Sequence, residues 1–149
     1  IKKADSSEWP KVIEWVEKLL REIEDDSAEF AGLDSDKIMQ DLQRNRSRFT
    51  AFFASNSTAD IIGVMTVVET CAIYAGGNYG VIDEMYVAPG YRSQGVGYKL
   101  LEAAKALGRE KSWLRLDVTA PPGEPWQRTV RFYENNGFTF TGPKLRLRL

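Results

Sequence analysis

Val81-Ile82-Asp83-Glu84-Met85-Tyr86-Val87-Ala88-Pro89-Gly90-Tyr91-Arg92-Ser93-Gln94-Gly95-Val96-Gly97-Tyr98-Lys99-Leu100-Leu101 changes its hydrophobic period midway. Up to Val87 it reads as a strand, Ala88 to Gly95 as a loop, and from about Gly97 to Glu110 as a helix with Leu100, Leu101, Ala104 and Leu107 on one face. Gly95 and Gly97 allow the backbone to pass close to an anion, and the amides of Ser93, Gln94, Gly95, Val96, Gly97 and Tyr98 would meet it at a helix N-terminus. Arg92 adds a permanent positive charge there. A diphosphate is the expected guest. The P-loop pattern fails, because Gly97 is followed by Tyr98-Lys99-Leu100 rather than Lys-Ser/Thr. The dinucleotide fingerprint fails at Leu100, where it needs a third small residue. Taken alone, these glycines fit a tight connection equally well.

Working outward, Ile1 to Ala4 reads as a short strand. Ser6 or Ser7 then caps a helix that carries Val12, Ile13, Val16, Leu19, Leu20 and Ile23 at helical spacing and ends near Asp25. A second helix is expected over Ser35 to Arg44. Arg48 to Ser55 and Ile61 to Ile73 form a hairpin, Ala75 to Gly80 a turn, and Tyr79 to Val87 the strand before the glycine turn. Trp113 to Thr119 is a further strand, and a last helix from about Trp126 stops at Asn136-Gly137. Phe138 to Thr141 and Lys144 to Leu149 are expected to be strands. No linker or repeat interrupts the series, so residues 1–149 read as one mixed α/β domain.

The chain has a net charge of −1 with no basic face, which argues against nucleic acid as a partner. No run approaches a membrane span, and Ile1 to Asp5 do not resemble the start of a secretion signal. The first residue is not Met, which points to a trimmed chain. Cys71 is the single cysteine, read as a small buried apolar residue in a reducing, cytoplasmic setting. The sequence holds no histidine, which removes the commonest neutral-pH base and the hydrolase triads built on it. One thiol without histidine makes a zinc site improbable, and no metal is expected.

With these residues in view, the sequence resembles the GNAT superfamily of N-acetyltransferases. The hallmark Arg/Gln-x-x-Gly-x-Gly/Ala is matched by Arg92, Gly95 and Gly97, the approach strand by Asp83 through Val87, and the aromatic-Tyr-x-x-x-Gly-Phe element by Phe132, Tyr133, Gly137 and Phe138. The resemblance covers almost the whole chain. It departs at Trp126, where the family often has an Asn that contacts the donor. It implies a mostly antiparallel mixed sheet flanked by helices, with central strands splayed apart. The implied cosubstrate is acetyl-CoA and the implied acceptor an amine; a homodimer is left open. The alternative, from another class, is a regulatory domain that binds acyl-CoA without chemistry.

In that reading the backbone N–H groups of Met85, Tyr86 and Val87 bind the pantetheine arm and polarise the thioester. A free amine with pKa ~10.4 costs about 4 to 5 kcal/mol to deprotonate at pH 7, so a base is expected. Asp83 and Glu84 are the candidates; strand alternation sends them to opposite faces, and Asp83, on the face of Met85 and Val87, is preferred. Tyr133 is expected to be the general acid toward the leaving thiolate. Trp9, Trp15 and Trp113 read as packing residues, and Trp126 as packing or a wall of the acyl pocket. Acidic residues from Glu22 to Asp41 would favour a cationic acceptor.

Overall fold

Strict alternation builds the centre of the sheet. In β2 (Phe49–Ser55), Phe49, Ala51 and Phe53 enter one core while Phe52 and Ala54 enter another, so the strand is covered on both faces. A computed structural model describes residues 1–23, 33–120, 123–142 and 147. Around β2 it places β1 (Lys2–Lys3), β3 (Ile61–Ala72), β4 (Gly77–Val87) and β5 (Leu116–Val118) in the order β1-β2-β3-β4-β5. The first three pairings are antiparallel and β4 with β5 is parallel.

Helices α1 (Trp9–Ile23) and α2 (Ser35–Arg44) cover one face of the sheet, where Trp9, Val12 and Trp15 meet Phe49, Phe53, Val64 and Tyr86. Helix α3 (Val96–Glu110), the crossover between β4 and β5, covers the other with Leu100, Leu101, Ala104 and Leu107 against Met65, Val67 and Ile82. Full burial of Met65, Ile82, Leu100 or Leu101 contributes about 1.5–3 kcal/mol each. Helix α4 (Gln127–Asn135) follows, and its Phe132 packs toward the α3-side core.

Several boundaries differ from the sequence expectation. Helix α1 is entered through a 3-10 turn at Ser6–Glu8 flanked by Asp5, whose amide donates to Glu8 Oε2 at 2.9 Å; Ser6 and Ser7 lie inside that turn. The turn before β4 is tighter than expected, with Gly76 at φ +77 and the strand already begun at Gly77. Strand β5 is only three residues long. Cys71, expected to be buried, is exposed near the end of β3, where the strand has outrun β2 and is paired only with β4 among the described strands. Phe138 to Thr141 are not a strand: Gly137 turns the chain at φ +91, and the Phe138 amide donates to Tyr133 O at 3.1 Å, which ties it to the end of α4. The expected strand over 144–149 lies outside the described residues except for Leu147, which is exposed.

Candidate active site

The β4–β5 ladder stops early. Gly80, Val81 and Ile82 pair with Leu116, Asp117 and Val118, after which β4 runs on through Val87 with no β5 residue beside it. The splay expected of the central strands is therefore present. On its other edge β4 stays bound to β3, with Ala88 N donating to Ile62 O at 2.9 Å. Backbone polar groups alternate in direction along an antiparallel strand, so the Tyr86 amide also faces β3 while those of Met85 and Val87 face the opening. Of the three amides expected to hold the pantetheine arm, those of Met85 and Val87 face the gap beside β4 and that of Tyr86 faces β3.

A bulge changes the reading of the two carboxylates. Val67 pairs with Ile82 and Thr66 with Glu84, which leaves Asp83 as the extra residue. Ile82 and Met85, three apart, both reach the α3-side core, so strict alternation does not hold between them. The alternation that would have put Asp83 with Met85 and Val87 is cancelled here, while Glu84, paired with Thr66, stays on the face opposite Met85. Glu84 lies beside Thr66, and Asp83 is exposed at the bulge.

Beyond Val87 the chain makes a 3-10 turn at Pro89–Tyr91 and then the glycine turn. Asn56, in the β2–β3 connection, donates to Tyr91 Oη at 3.3 Å, and Gln94 Nε2 donates to Gly90 O at 2.8 Å, which together fix the loop. Ser93 and Gly95 have φ of +60 and +79. Among the described residues nothing beyond the chain neighbours lies within 4 Å of a Cβ built on Gly95, so glycine serves conformation there rather than space. Gly97 differs: a Cβ would meet Phe132 Cζ at 3.4 Å, where α3 and α4 approach. The first α3 bond runs from Lys99 N to Gly95 O, leaving the amides of Val96, Gly97 and Tyr98 without intrahelical acceptors. Such open amides at the positive end of a helix are suited to an anion.

Arg92 is not aimed at that end. Its Nε donates to Val87 O at 2.8 Å, its Nη2 meets Glu22 Oε2 at 2.6 Å, and its Cζ lies 5.5 Å from the Tyr86 ring. Glu22 is the main cause of its raised pKa. Arg128 of α4 lies next to the turn, where it donates to Ser93 Oγ. Nothing local in the sequence marked Arg128, since the contact depends on α4 folding back over the start of α3.

Tyr133 is buried, with its ring 5.2 Å from Phe132 and 5.3 Å from Phe138 in edge-on contacts. Burial pushes its phenol well above the ordinary tyrosine value. It is therefore held as a neutral hydrogen-bond donor. Trp126, at the entry of α4, is half-buried, with its amide donating to Gly123 O at 3.2 Å. Trp9 and Trp15 are buried in the core, and Trp113 packs over Gly80 and Gly108.

Of the acidic segment, Glu24, Asp25, Asp26 and Glu29 lie outside the described residues. Asp34 caps α2 through Lys37 N, Asp41 pairs with Lys37 and Arg44, and Glu22 holds Arg92. A cleft of about 290 Å³ between α1 and α2 is lined by Ile13 and Met39 with Glu14, Glu17 and Asp36. Among the described residues no group of His, Cys, Asp and Glu could hold a metal, and no helix is long and apolar enough to cross a membrane.

Comparison with known proteins agrees with this geometry. Among curated proteins none matches the sequence. Of solved structures, an aminoglycoside acetyltransferase from an uncultured soil metagenomic sample is similar with a TM-score of 0.82 at 16% identity, covering 99% of this chain and 96% of that one. A ribosomal-protein-alanine N-acetyltransferase from Brucella melitensis biovar Abortus 2308 is similar at 0.74 and 16%, covering 99% and 98%. A transcriptional regulator from Bacillus halodurans C-125 is similar at 0.76 and 18%, covering 99% and 97%. These likenesses show the fold. The model of the acetyltransferase (GNAT) domain matches residues 47–140, a span that includes the parted strand, the glycine turn and Tyr133. With that match over more than half of its length, the chain belongs to the GNAT acetyltransferase family.

Proposed function

We propose that residues 1–149 act as one catalytic domain that transfers an acetyl group from acetyl-CoA to a primary amine by direct attack. The observation that carries this reading is the parting of β4 from β5 after Ile82, directly before the Gly95 turn. The outward-facing amides of Met85 and Val87 support a site for a thioester carbonyl and pantetheine amide, and the open first turn of α3 supports one for a diphosphate. Ser93, Gln94, Gly95, Val96, Gly97 and Tyr98 form the diphosphate cradle.

In this mechanism Asp83, exposed at the bulge, accepts the proton of the incoming ammonium directly or through water, with Glu84 the alternative base. The neutral amine attacks the thioester carbon and the β4 amides meet the oxyanion; collapse then breaks the C–S bond and expels the thiolate, the nitrogen gives up its extra proton to solvent as the amide forms, and solvent returns a proton to the sulfur. Tyr133 then serves by donating a hydrogen bond to the departing sulfur. Its raised pKa lies above the ~8.5 of a thiol, so sharing the proton fits it better than surrendering it.

For the acceptor we infer a cationic amine, such as a polyamine, an aminoglycoside or a lysine side chain. The carboxylate that supports this is Asp36 of the α1–α2 cleft, because Glu14 and Glu17 are paired within α1 and Asp34 and Asp41 are engaged within α2. The lone Cys71 supports a reducing, cytoplasmic setting. A calorimetric titration with acetyl-CoA, followed by an amine screen for CoA-thiol release at low and high salt, tests the reading. Saturable binding and salt-weakened turnover of cationic amines are expected. No binding would refute a donor site, binding without turnover on any amine would leave a regulatory domain, and a preferred anionic acceptor would refute the acceptor class.

A further inference from the structure

The two arginines nearest the glycine turn lie on opposite sides of β4. The Arg92 guanidinium stacks on Tyr86, a member of the α1-side core, and meets Glu22 of α1. Its Nε holds the Val87 carbonyl at the end of the parted strand. Arg92 is thus neutralised by a carboxylate and occupied on the face away from α3. Arg128 lies on the α3 side, since it is in the first turn of α4, whose Phe132 covers Gly97 and joins the α3-side core. It is exposed, and it donates to the hydroxyl of Ser93, a turn residue held at φ +60.

Resting on the donor site proposed above, we propose that Arg128, rather than the motif arginine Arg92, supplies the cation to the donor's diphosphate. Arg92 is a positioning residue that pins the end of β4 to α1 through Glu22. The division follows from charge. A guanidinium already paired at 2.6 Å has little net charge left to offer an anion, whereas one held, among the described residues, by a neutral hydroxyl can exchange that partner for phosphate oxygens at small cost. Ser93 then acts as a rest for Arg128, keeping it at the turn before the donor arrives.

The test measures binding of acetyl-CoA, 3′-dephospho-acetyl-CoA and S-acetylpantetheine to the full chain, by calorimetry and melting shift, for wild type, Arg128→Gln, Arg92→Gln and Arg92→Lys. Losing a charge-assisted contact should weaken acetyl-CoA and its dephospho form equally, about tenfold or more, and leave S-acetylpantetheine unchanged. Arg92→Gln should change all three ligands by one common factor, and Arg92→Lys should fail to restore wild-type behaviour because the fork, not the charge, is what Val87 and Glu22 use. Selective loss of acetyl-CoA alone in Arg128→Gln would move Arg128 to the 3′-phosphate and overturn the assignment. So would an unchanged Arg128→Gln, or a diphosphate-selective loss in Arg92→Gln rescued by Lys. A wild type that binds no acetyl-CoA would instead refute the donor site itself.

Discussion

Thr66 and Glu84 face each other across β3 and β4 beside the bulge, the Thr66 hydroxyl hydrogen-bonded to the Glu84 carboxylate and accepting the Glu84 amide at 3.2 Å. Thr66 is only 2% exposed, so this pair anchors the strand from within. A carboxylate used to hold the bulge is poorly placed to carry a proton to solvent, which favours Asp83 as the base. A base must be ionised to act, so kcat/KM should rise with pH through its pKa. Asp83→Asn is expected to remove that acid limb and lower the rate about 100-fold. Glu84→Gln and Thr66→Val should keep the limb while lowering the melting temperature. A lost limb in Glu84→Gln, with Asp83→Asn normal, would exchange the roles.

Tyr133→Phe separates chemistry from packing. The edge-on contacts with Phe132 and Phe138 survive the substitution, so the melting temperature and acetyl-CoA affinity should stay close to wild type. Turnover is expected to fall roughly 100-fold if the hydroxyl meets the leaving sulfur. Because burial raises the phenol pKa, Tyr133 stays neutral through pH 9 and contributes no alkaline limb below that. Equal single-turnover rates in the two proteins would dismiss the role.

The two glycines of the turn should respond differently to alanine. At Gly95 an added methyl touches nothing, yet φ +79 costs an L residue about 1–2 kcal/mol. Gly95→Ala should therefore melt several degrees lower and bind acetyl-CoA more weakly, as the amides beyond it are re-aimed. Gly97 is already helical, so alanine gains up to about 1 kcal/mol of propensity there while Phe132 gives way slightly. Gly97→Ala is expected to match wild-type stability within about 2 °C. Equal losses in both variants would contradict this account of the turn.

What could be read in the sequence was local. Periodicity placed α2 and α3 to within a residue, and it marked Leu100, Leu101, Ala104 and Leu107 as core because a helix face repeats within its own segment. Gly95 was legible for the same reason. The bulge at Asp83 was not, because an extra residue has no signature apart from its partner strand, and the pairing with Thr66 lies 18 residues away. Arg92 showed the same limit at longer range. Its charge was evident, but its partner Glu22 is 70 residues distant, and only the packing of α1 on Tyr86 brings them together.

The opposite end of β4 carries an acid-sensitive anchor. Trp113 lies over Gly80, where a Cβ would come within 2.3 Å of its Cζ3, and its Nε1 donates to Glu69 Oε2 at 2.6 Å. Lys111 Nζ approaches the same oxygen at 3.3 Å. The Trp113 hydrogen bond first, then Lys111 and the more distant Arg48, hold the Glu69 carboxyl below the usual carboxylate range. The fold thus favours ionised Glu69 more than the unfolded chain does, and that stability is present above about pH 4.5 and lost as pH falls through the depressed folded value. Glu69→Gln should melt below wild type at pH 7, with the two curves drawing together as pH falls below 4.5 and the wild-type carboxyl takes up its proton. Trp113→Phe, which removes the donor but keeps a ring over Gly80, should show the same convergence from a smaller gap. Since Trp113 and Glu69 hold the Gly80 end of β4, away from Met85 and Val87, the increment in melting temperature given by acetyl-CoA should be unaffected at pH 7 in Glu69→Gln. A wild-type advantage that is as large at pH 3 as at pH 7 would show that packing, not the ionised carboxylate, holds this end of the strand.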